Sequence, residues 1–218
     1  MSTVPRRDLS ALTRASLLEA ATFEFAAHGF DGASTRAIAR RAGVHQPQIN
    51  YHFDSKLDLW RAVVDVLFAE LADEVESSMI GSRGRRESFQ AAVRAFVRHA
   101  ARRPELNRIM VHESGAPSER LDWLVHTHVR DRFERVSSMW EPLRADGEVI
   151  DIDSLTAFYL ILGGGTLLYT NAPEARLLSD VEPTKPERIE SHSDALLQML
   201  FRPSPDDRPT ATRRRRPT

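Results

Sequence analysis

The residues with most chemistry to offer fall in one run, 34–56, which reads STRAIARRAGVHQPQINYHFDSK. Gly43 and Val44 divide it into two short helices at a tight turn, the helix-turn-helix arrangement. Ile38, Ala39 and Ala42 fall on the inner face of the first helix. Ile49 and Phe53, four apart, fall on the inner face of the second. The small side chains at Ala39 and Ala42 let the helices approach closely. Gln46, Gln48, Asn50 and Tyr51 are left facing outward, with Pro47 at the tip. Side-chain amides carry paired donors and acceptors that match base edges in a major groove. Pro47 suits a thymine methyl, and Tyr51, His52 and Lys56 suit phosphate oxygens. Lys56 also opens the next helix, whose free N–H groups favour anions. On these residues alone two readings stay open: a base-reading helix, or a plain helical hairpin with a polar outer face.

Other chemistry is thin. His126 and His128 lie two apart and do not share a helix face, so joint metal ligation is not expected. No third ligand has supporting spacing, and the chain holds no cysteine. That excludes disulfides, cysteine-zinc and iron–sulfur sites and thiol nucleophiles. There is no phosphate-cradling Gly-rich loop and no G-x-S-x-G. Gly163, Gly164 and Gly165 sit inside an apolar run rather than after a strand, a poor dinucleotide turn. No enzyme, metal or cofactor is therefore expected.

The positioning elements read as helices throughout, with no sustained period-2 alternation. A chain of 218 residues with 41% hydrophobic and 28% charged residues builds a globular core unaided. Net charge is −1, yet residues 1–53 carry six Arg against four acids, so the weak basic bias lies at the N-terminus. The opening residues lack a signal peptide's apolar core. The longest apolar stretch, 157–169, is interrupted by three glycines and is too short to span a bilayer. No membrane association is expected, and a reducing, cytoplasmic setting fits.

Residues 1–9 read as a flexible basic arm. A first helix is expected over 10–28, with Leu18, Ala21 and Phe25 as its stripe and Gly29 as its stop. Short helices follow near 34–42 and 46–53. Asp54 or Ser55 caps a long fourth helix to about 77, with Leu57, Trp60, Val64, Leu67, Phe68 and Leu71 inward. Further helices are expected at 86–101, 104–113, 118–141, 153–171 and 186–202, punctuated by Gly and Pro. The Pro- and Arg-rich tail 203–218 reads as disordered, and its Arg run at 213–216 as a solvated end.

Three tracts resemble the N-terminal domain of TetR-family transcriptional regulators. They are A-A-x-x-x-F-A-x-x-G-F from Ala20 to Phe30, S-T-R-x-I-A-x-x-A-G-V over 34–44, and Y-x-F-x-S-K-x-x-L from Tyr51 to Leu59. The likeness covers about 12–70. Asn50, where many members carry an aromatic or apolar residue, and His45, often Ser or Thr, depart from the pattern. The resemblance implies an all-α protein. A three-helix DNA-binding domain over 10–56 joins, through the long fourth helix, a helical effector-binding and dimerisation domain over 57–202. It implies a homodimer whose third helices enter successive major grooves of a palindromic operator about 34–36 Å apart. Carried over by position, Gln46, Pro47, Gln48 and Asn50 read bases, and Thr35, His45, Tyr51, His52 and Lys56 hold phosphates. Arg14, Arg36 and Arg40 are added backbone contacts. The expected role is a repressor released by a small organic effector; the alternative is a regulator or activator without one.

For the C-terminal half the resemblance gives a plan, not a motif. Pocket candidates are Phe96, Ile109, Met110, Glu113, Trp123, His126, Met139, Trp140 and Phe158, aromatics and Met mixed with a few polar groups. Each is also credible as ordinary core. The stretch 157–169 is apolar nearly all round, and mid-helix glycines there fit a close backbone approach at a dimer seam or a kinked core helix. Leu162, Gly163, Gly164, Leu167, Leu196, Leu197 and Leu200 are the seam candidates.

Overall fold

The computed structural model describes residues 6–203. Eleven α-helices are present among them: α1 Arg6–Gly32, α2 Thr35–Arg41, α3 Pro47–His52, α4 Lys56–Met79, α5 Arg85–Arg102, α6 Pro104–Ser114, α7 Glu119–Leu124, α8 Arg130–Ala145, α9 Ser154–Thr170, α10 Ala172–Leu178 and α11 Pro186–Leu200. A π-helical turn, Val125–Val129, joins α7 to α8. The described residues contain no strand, only an isolated antiparallel bridge between Val149 and Phe201. The all-α expectation holds.

Local chemistry explains most boundaries. Gly29 breaks α1 with φ 66° and ψ 178°, a conformation other residues adopt only with strain. The expected stop is therefore in place, although a last turn follows it. Ser55 caps α4 by accepting from the Asp58 N–H at 3.0 Å, while its hydroxyl donates to the Asp58 carboxylate at 2.6 Å. Pro186 sits in the first turn of α11, where no N–H is needed.

Three expectations need correction. Arg6 to Leu9 of the presumed flexible arm belong to α1; the rest of that arm, and the tail from 204 onward, lie outside the described residues. The helix expected over 118–141 runs unbroken from Glu119 but carries a π turn at Val125–Val129, and it continues through Pro142 to Ala145. Pro142 lies one turn from the helix end, and Gly147, with φ 72°, follows the true stop. Helix α10 was not foreseen, because the expected helices end at 171 and resume at 186; Pro173 occupies its first turn.

Two apolar clusters hold the chain. The first packs α1, α2, α3 and α4 with Leu106 and Ile109 of α6 and Leu124 of α7. The second gathers α5, α8, α9 and α11 around Phe89, Trp140, Tyr169 and Leu197. Phe96 of α5 touches both. No helix among the described residues is long and apolar enough to cross a membrane.

The three glycines of α9 divide by environment. A Cβ on Gly165 would stand 2.7 Å from Phe96 Cε1, and one on Gly164 2.9 Å from Leu196 Cδ1, so both serve packing within the chain. Gly163 has open space beside it. The overlap at Gly165 outweighs the ordinary helix gain of about 1 kcal/mol from Gly to Ala. Gly165→Ala should therefore lower unfolding free energy by about 1–2 kcal/mol, as overpacking does; a chemical denaturation curve checks it, and an unchanged or raised midpoint would contradict the packing described.

Candidate nucleic-acid interface

The α2–turn–α3 unit is built from few inward contacts. Ile38 and Ala39 of α2, Ile49 of α3 and Phe53 beyond it are buried at 6% exposure or less. The Val44 N–H donates to the Ala39 carbonyl at 3.0 Å across the turn, and Gly43 carries φ 69°. The inward set expected from spacing is thus the set that packs, except that Ala42 is only half-buried. Ile49 is the one buried residue of α3, so this six-residue helix is held by a single anchor and by Phe53. A helix this short has no stability of its own, and its docking fixes it.

Everything else on α3 faces out. Gln46, Pro47, Gln48, Asn50 and Tyr51 are exposed, Tyr51 at 79%, and His52 is half-buried beneath the Tyr51 ring. His45, Arg14, Arg36 and Arg40 are exposed, and Thr35 is half-buried. The structure brings the expected contacts onto one face around α3. It also shows which already have partners. Gln48 Oε1 accepts from the His45 N–H at 3.0 Å, closing the first turn of α3, and Gln46 Nε2 donates to Thr35 Oγ1 at 3.4 Å. The Gln48 side-chain oxygen is therefore engaged within the first turn of α3. Lys56 Nζ donates to the Asp31 carbonyl at 3.4 Å and stands 4.7 Å from the Phe30 ring centre. Arg14 lies 5.2 Å over Phe53. Arg41 is tied to the largely buried Glu24 at 3.2 Å and stacks on Phe23, which leaves Arg36 and Arg40 as the outward guanidinium groups of α2.

The C-terminal candidates are more scattered than expected. Ile109, Met110, Trp123 and Phe96 belong to or pack on the first cluster, whereas Met139 and Trp140 belong with the second. Trp140 is fully buried and donates its indole N–H to the Ile152 carbonyl at 3.0 Å. Phe158 packs edge-on against Phe133. The exposed His126 turns its ring to the Asp122 carbonyl of its own helix. Glu113 is buried and bonded to Arg120 at 2.9 Å. An open cleft of about 660 Å³ lies between α4 and α5, lined by Glu70, Asp73, Glu74, Ser77, His99, Arg102 and Arg103, none of them a candidate. Among the described residues no group of three or more His, Cys, Asp or Glu is placed to hold a metal.

Of the seam candidates, Leu196, Leu197 and Leu200 are buried within their own chain and Gly164 packs on Leu196. They face inward because α11 turns its strongest apolar stripe to α5 and α9. Leu167 and Gly163 are exposed and Leu162 is half-buried. Tyr159, Gly163 and Leu167 recur every four residues, and Leu155 extends the stripe along the outer side of α9.

Sequence reasoning passed over His128. Its Nε2 lies 2.9 Å from Asp65 Oδ1 of α4, its ring stacks on Phe68 at 4.6 Å, and Trp123 meets it edge-on at 5.2 Å. Arg132 donates to the carbonyls of both His128 and Phe68. The π turn is thereby clamped to α4. Burial pushes the His128 imidazole below its ordinary value, against the opposing pull of Asp65. Below about pH 6.5 the unfolded chain takes up a proton that the native site resists. Stability should therefore be full above that pH and fall as pH drops through the lowered native value. His192, also depressed by burial, adds to the same loss. The fall in melting temperature between pH 7 and pH 5 should be smaller in His128→Gln than in the parent chain; an equal fall would remove His128 from the titration.

Comparison with known proteins agrees with this geometry. Residues 17–63 match the family model of bacterial regulatory proteins, tetR family. The HTH-type transcriptional activator FasR of Mycolicibacterium smegmatis is 37% identical over 83 residues, and the match spans 38% of either chain. AibR, solved in complex with isovaleryl coenzyme A and operator DNA, superposes with a TM-score of 0.70 at 17% identity, covering 87% of this chain and 98% of that one. The fatty acid degradation regulator FadR from Bacillus halodurans gives 0.65 at 18%, covering 91% and 97%. A TetR family transcription regulator from Marinobacter aquaeolei gives 0.66 at 19%, covering 89% and 98%. These likenesses show the fold.

Proposed function

We propose that this chain, whose residues 17–63 match the tetR family of bacterial regulatory proteins, is a sequence-specific DNA-binding transcriptional regulator of that family. The observation that carries the reading is the division of α3. Ile49 alone is buried, while Gln46, Pro47, Gln48, Asn50 and Tyr51 are exposed beside Lys56. Amides aimed outward from a docked helix read bases, and the lysine and tyrosine at its edge hold phosphates. Arg36 and Arg40 extend the phosphate track along α2.

The working form is a homodimer. Leu155, Tyr159, Leu160 and Leu167 of α9 and Met199 of α11 are exposed at 46% or more, large apolar side chains that a partner's matching face would cover. Pairing these faces about a two-fold axis sets the two recognition helices at a fixed separation, which selects a palindromic site.

A small organic effector sets operator occupancy in this reading, and release from the operator makes the protein a repressor. The fully buried Trp60 of α4 supports an effector site between α4 and α7: its indole Nε1 has no hydrogen-bond partner, and it packs on Trp123 at 5.6 Å. An acceptor oxygen on an apolar ligand would satisfy that donor. AibR was solved with both isovaleryl coenzyme A and operator DNA, which supports binding of a small effector in this fold. The second reading is activation, favoured by the identity to FasR, which is named an activator.

The test is binding to DNA flanking the chain's own gene, by fluorescence anisotropy at two salt concentrations with nonspecific competitor. Binding should survive competitor, and Gln46→Ala or Tyr51→Phe should each weaken it about tenfold or more, as loss of one good contact does, about 1–3 kcal/mol. Binding that is indifferent to sequence and abolished by salt would overturn the reading.

A further inference from the structure

The recognition unit does not end in loose linkers; its far edge is held by α6 and α7. Glu113 of α6 is 5% exposed, the carboxylate most enclosed in the C-terminal half. A charge removed from water in this way requires a close partner. Arg120 of α7 supplies it, with Nε 2.9 Å from Glu113 Oε2. The same guanidinium reaches the other way. Its Nη2 lies 3.5 Å from Asp31 Oδ2, and its Cζ stands 4.2 Å from the centre of the Phe30 ring.

Phe30 and Asp31 are also the residues that hold Lys56. The Lys56 ammonium stands 4.7 Å from the Phe30 ring centre and donates to the Asp31 carbonyl at 3.4 Å. Two cations, one from each half of the molecule, thus share one aromatic ring and one acidic residue. Beside them, His112 of α6 packs on Gly29: an added Cβ there would lie 3.3 Å from the imidazole. The left-handed Gly29 turn aims Phe30 and Asp31 into this junction. Phe30 closes the contact by meeting Trp60 edge-on at 6.1 Å. Interior packing transmits such displacement because it has no slack to absorb it.

We propose that Arg120, outside the DNA-binding domain, is a positioning residue for DNA binding: anchored by buried Glu113, it fixes Phe30 and Asp31 and through them the phosphate-facing Lys56. Movement of α6 carries Glu113, Glu113 carries Arg120, and the ammonium of Lys56 loses its seat. This route runs through the end of α1. The proposal rests on the DNA-binding reading above.

The test uses the full chain and three variants. Arg120→Lys keeps the charge but loses the planar fork. Glu113→Gln with Arg120→Met removes both charges, so no buried carboxylate is stranded. Lys56→Gln removes the clamp itself. Operator affinity should fall about tenfold in the first two, as for one lost contact. The slope of log affinity against log salt should flatten by about one phosphate contact per protomer, as in Lys56→Gln. Adding Lys56→Gln to either should cost little more, because one clamp cannot be lost twice. A merely structural role predicts a lower active fraction, an unchanged salt slope and additive losses, and that result would overturn the proposal.

Amide exchange without DNA separates this idea from the reading beneath it. Exchange over 29–41 and 55–59 should quicken about tenfold in Glu113→Gln/Arg120→Met, while the cluster around Trp140 and Leu143 keeps its protection. Unchanged exchange overturns the coupling even where operator binding is normal. Quickened exchange in a chain whose parent reads no operator supports the coupling and overturns the function it serves.

Discussion

The contact between Phe30 and Trp60 is the constraint on which the rest depends. Phe30 closes the last turn of α1, and Trp60 lies one turn into α4. Trp60 continues to Trp123, and Trp123 to His128. Aromatic rings in series bury large areas with defined geometry. The result is one core that starts beneath the recognition unit and ends at the π turn, with no apolar gap between the N-terminal helices and α6 and α7. A DNA-reading head packed in this way cannot reorient alone. Its position is a property of the whole first cluster.

The second cluster then acts as a frame. Its helices α5, α8, α9 and α11 lock together at places where side chains are absent: Gly164 admits Leu196, and Gly165 admits the Phe96 ring. Phe96 also reaches the first cluster, so the glycines of α9 set the distance between the two cores. Helix α6 makes a further tie. Asn107 donates to Thr170 Oγ1 at 2.7 Å and Arg108 to the Thr170 carbonyl at 3.2 Å, while its other end packs on Gly29. One short helix thus spans from the end of α9, whose outer face is the proposed seam, to the edge of the recognition unit.

How much of this was legible in the sequence follows from the range of the interactions. Gly29, Gly43, Ser55 and the Ile49–Phe53 pair act within a few residues, and periodicity, caps and turn residues found them. The outward face of α3 follows directly from knowing its inward one. The glycine triplet was legible as a close approach, but not what approached, because Phe96 lies about seventy residues earlier in the chain. Leu196, Leu197 and Leu200 were read as a seam since an apolar stripe looks the same against a partner or its own chain. Glu113 was singled out only as a pocket candidate, and His128 and Arg120 gave no sequence signal of their roles. Their meaning comes from Asp65, Phe68, Phe30 and Asp31, brought near by tertiary packing.

Charge explains why such rigid mounting is required. A net charge of −1 gives little general attraction for a polyanion. Binding must come from a few cations held where phosphates will be, and a flexible lysine loses much of its value when it must be ordered at the moment of contact. Lys56 is ordered beforehand by Phe30 and Asp31, and Arg14 by Phe53. Helix α3, held by Ile49, is too short to correct any error in its own placement. Two such heads engage one operator only when the frame presents both at the correct spacing. In the proposed reading, a coupling of only about 1–3 kcal/mol between the two halves is enough to change occupancy, and the continuous core offers a path for it. The same packing that docks α3 also joins its mounting to α6, which is what the proposed coupling requires.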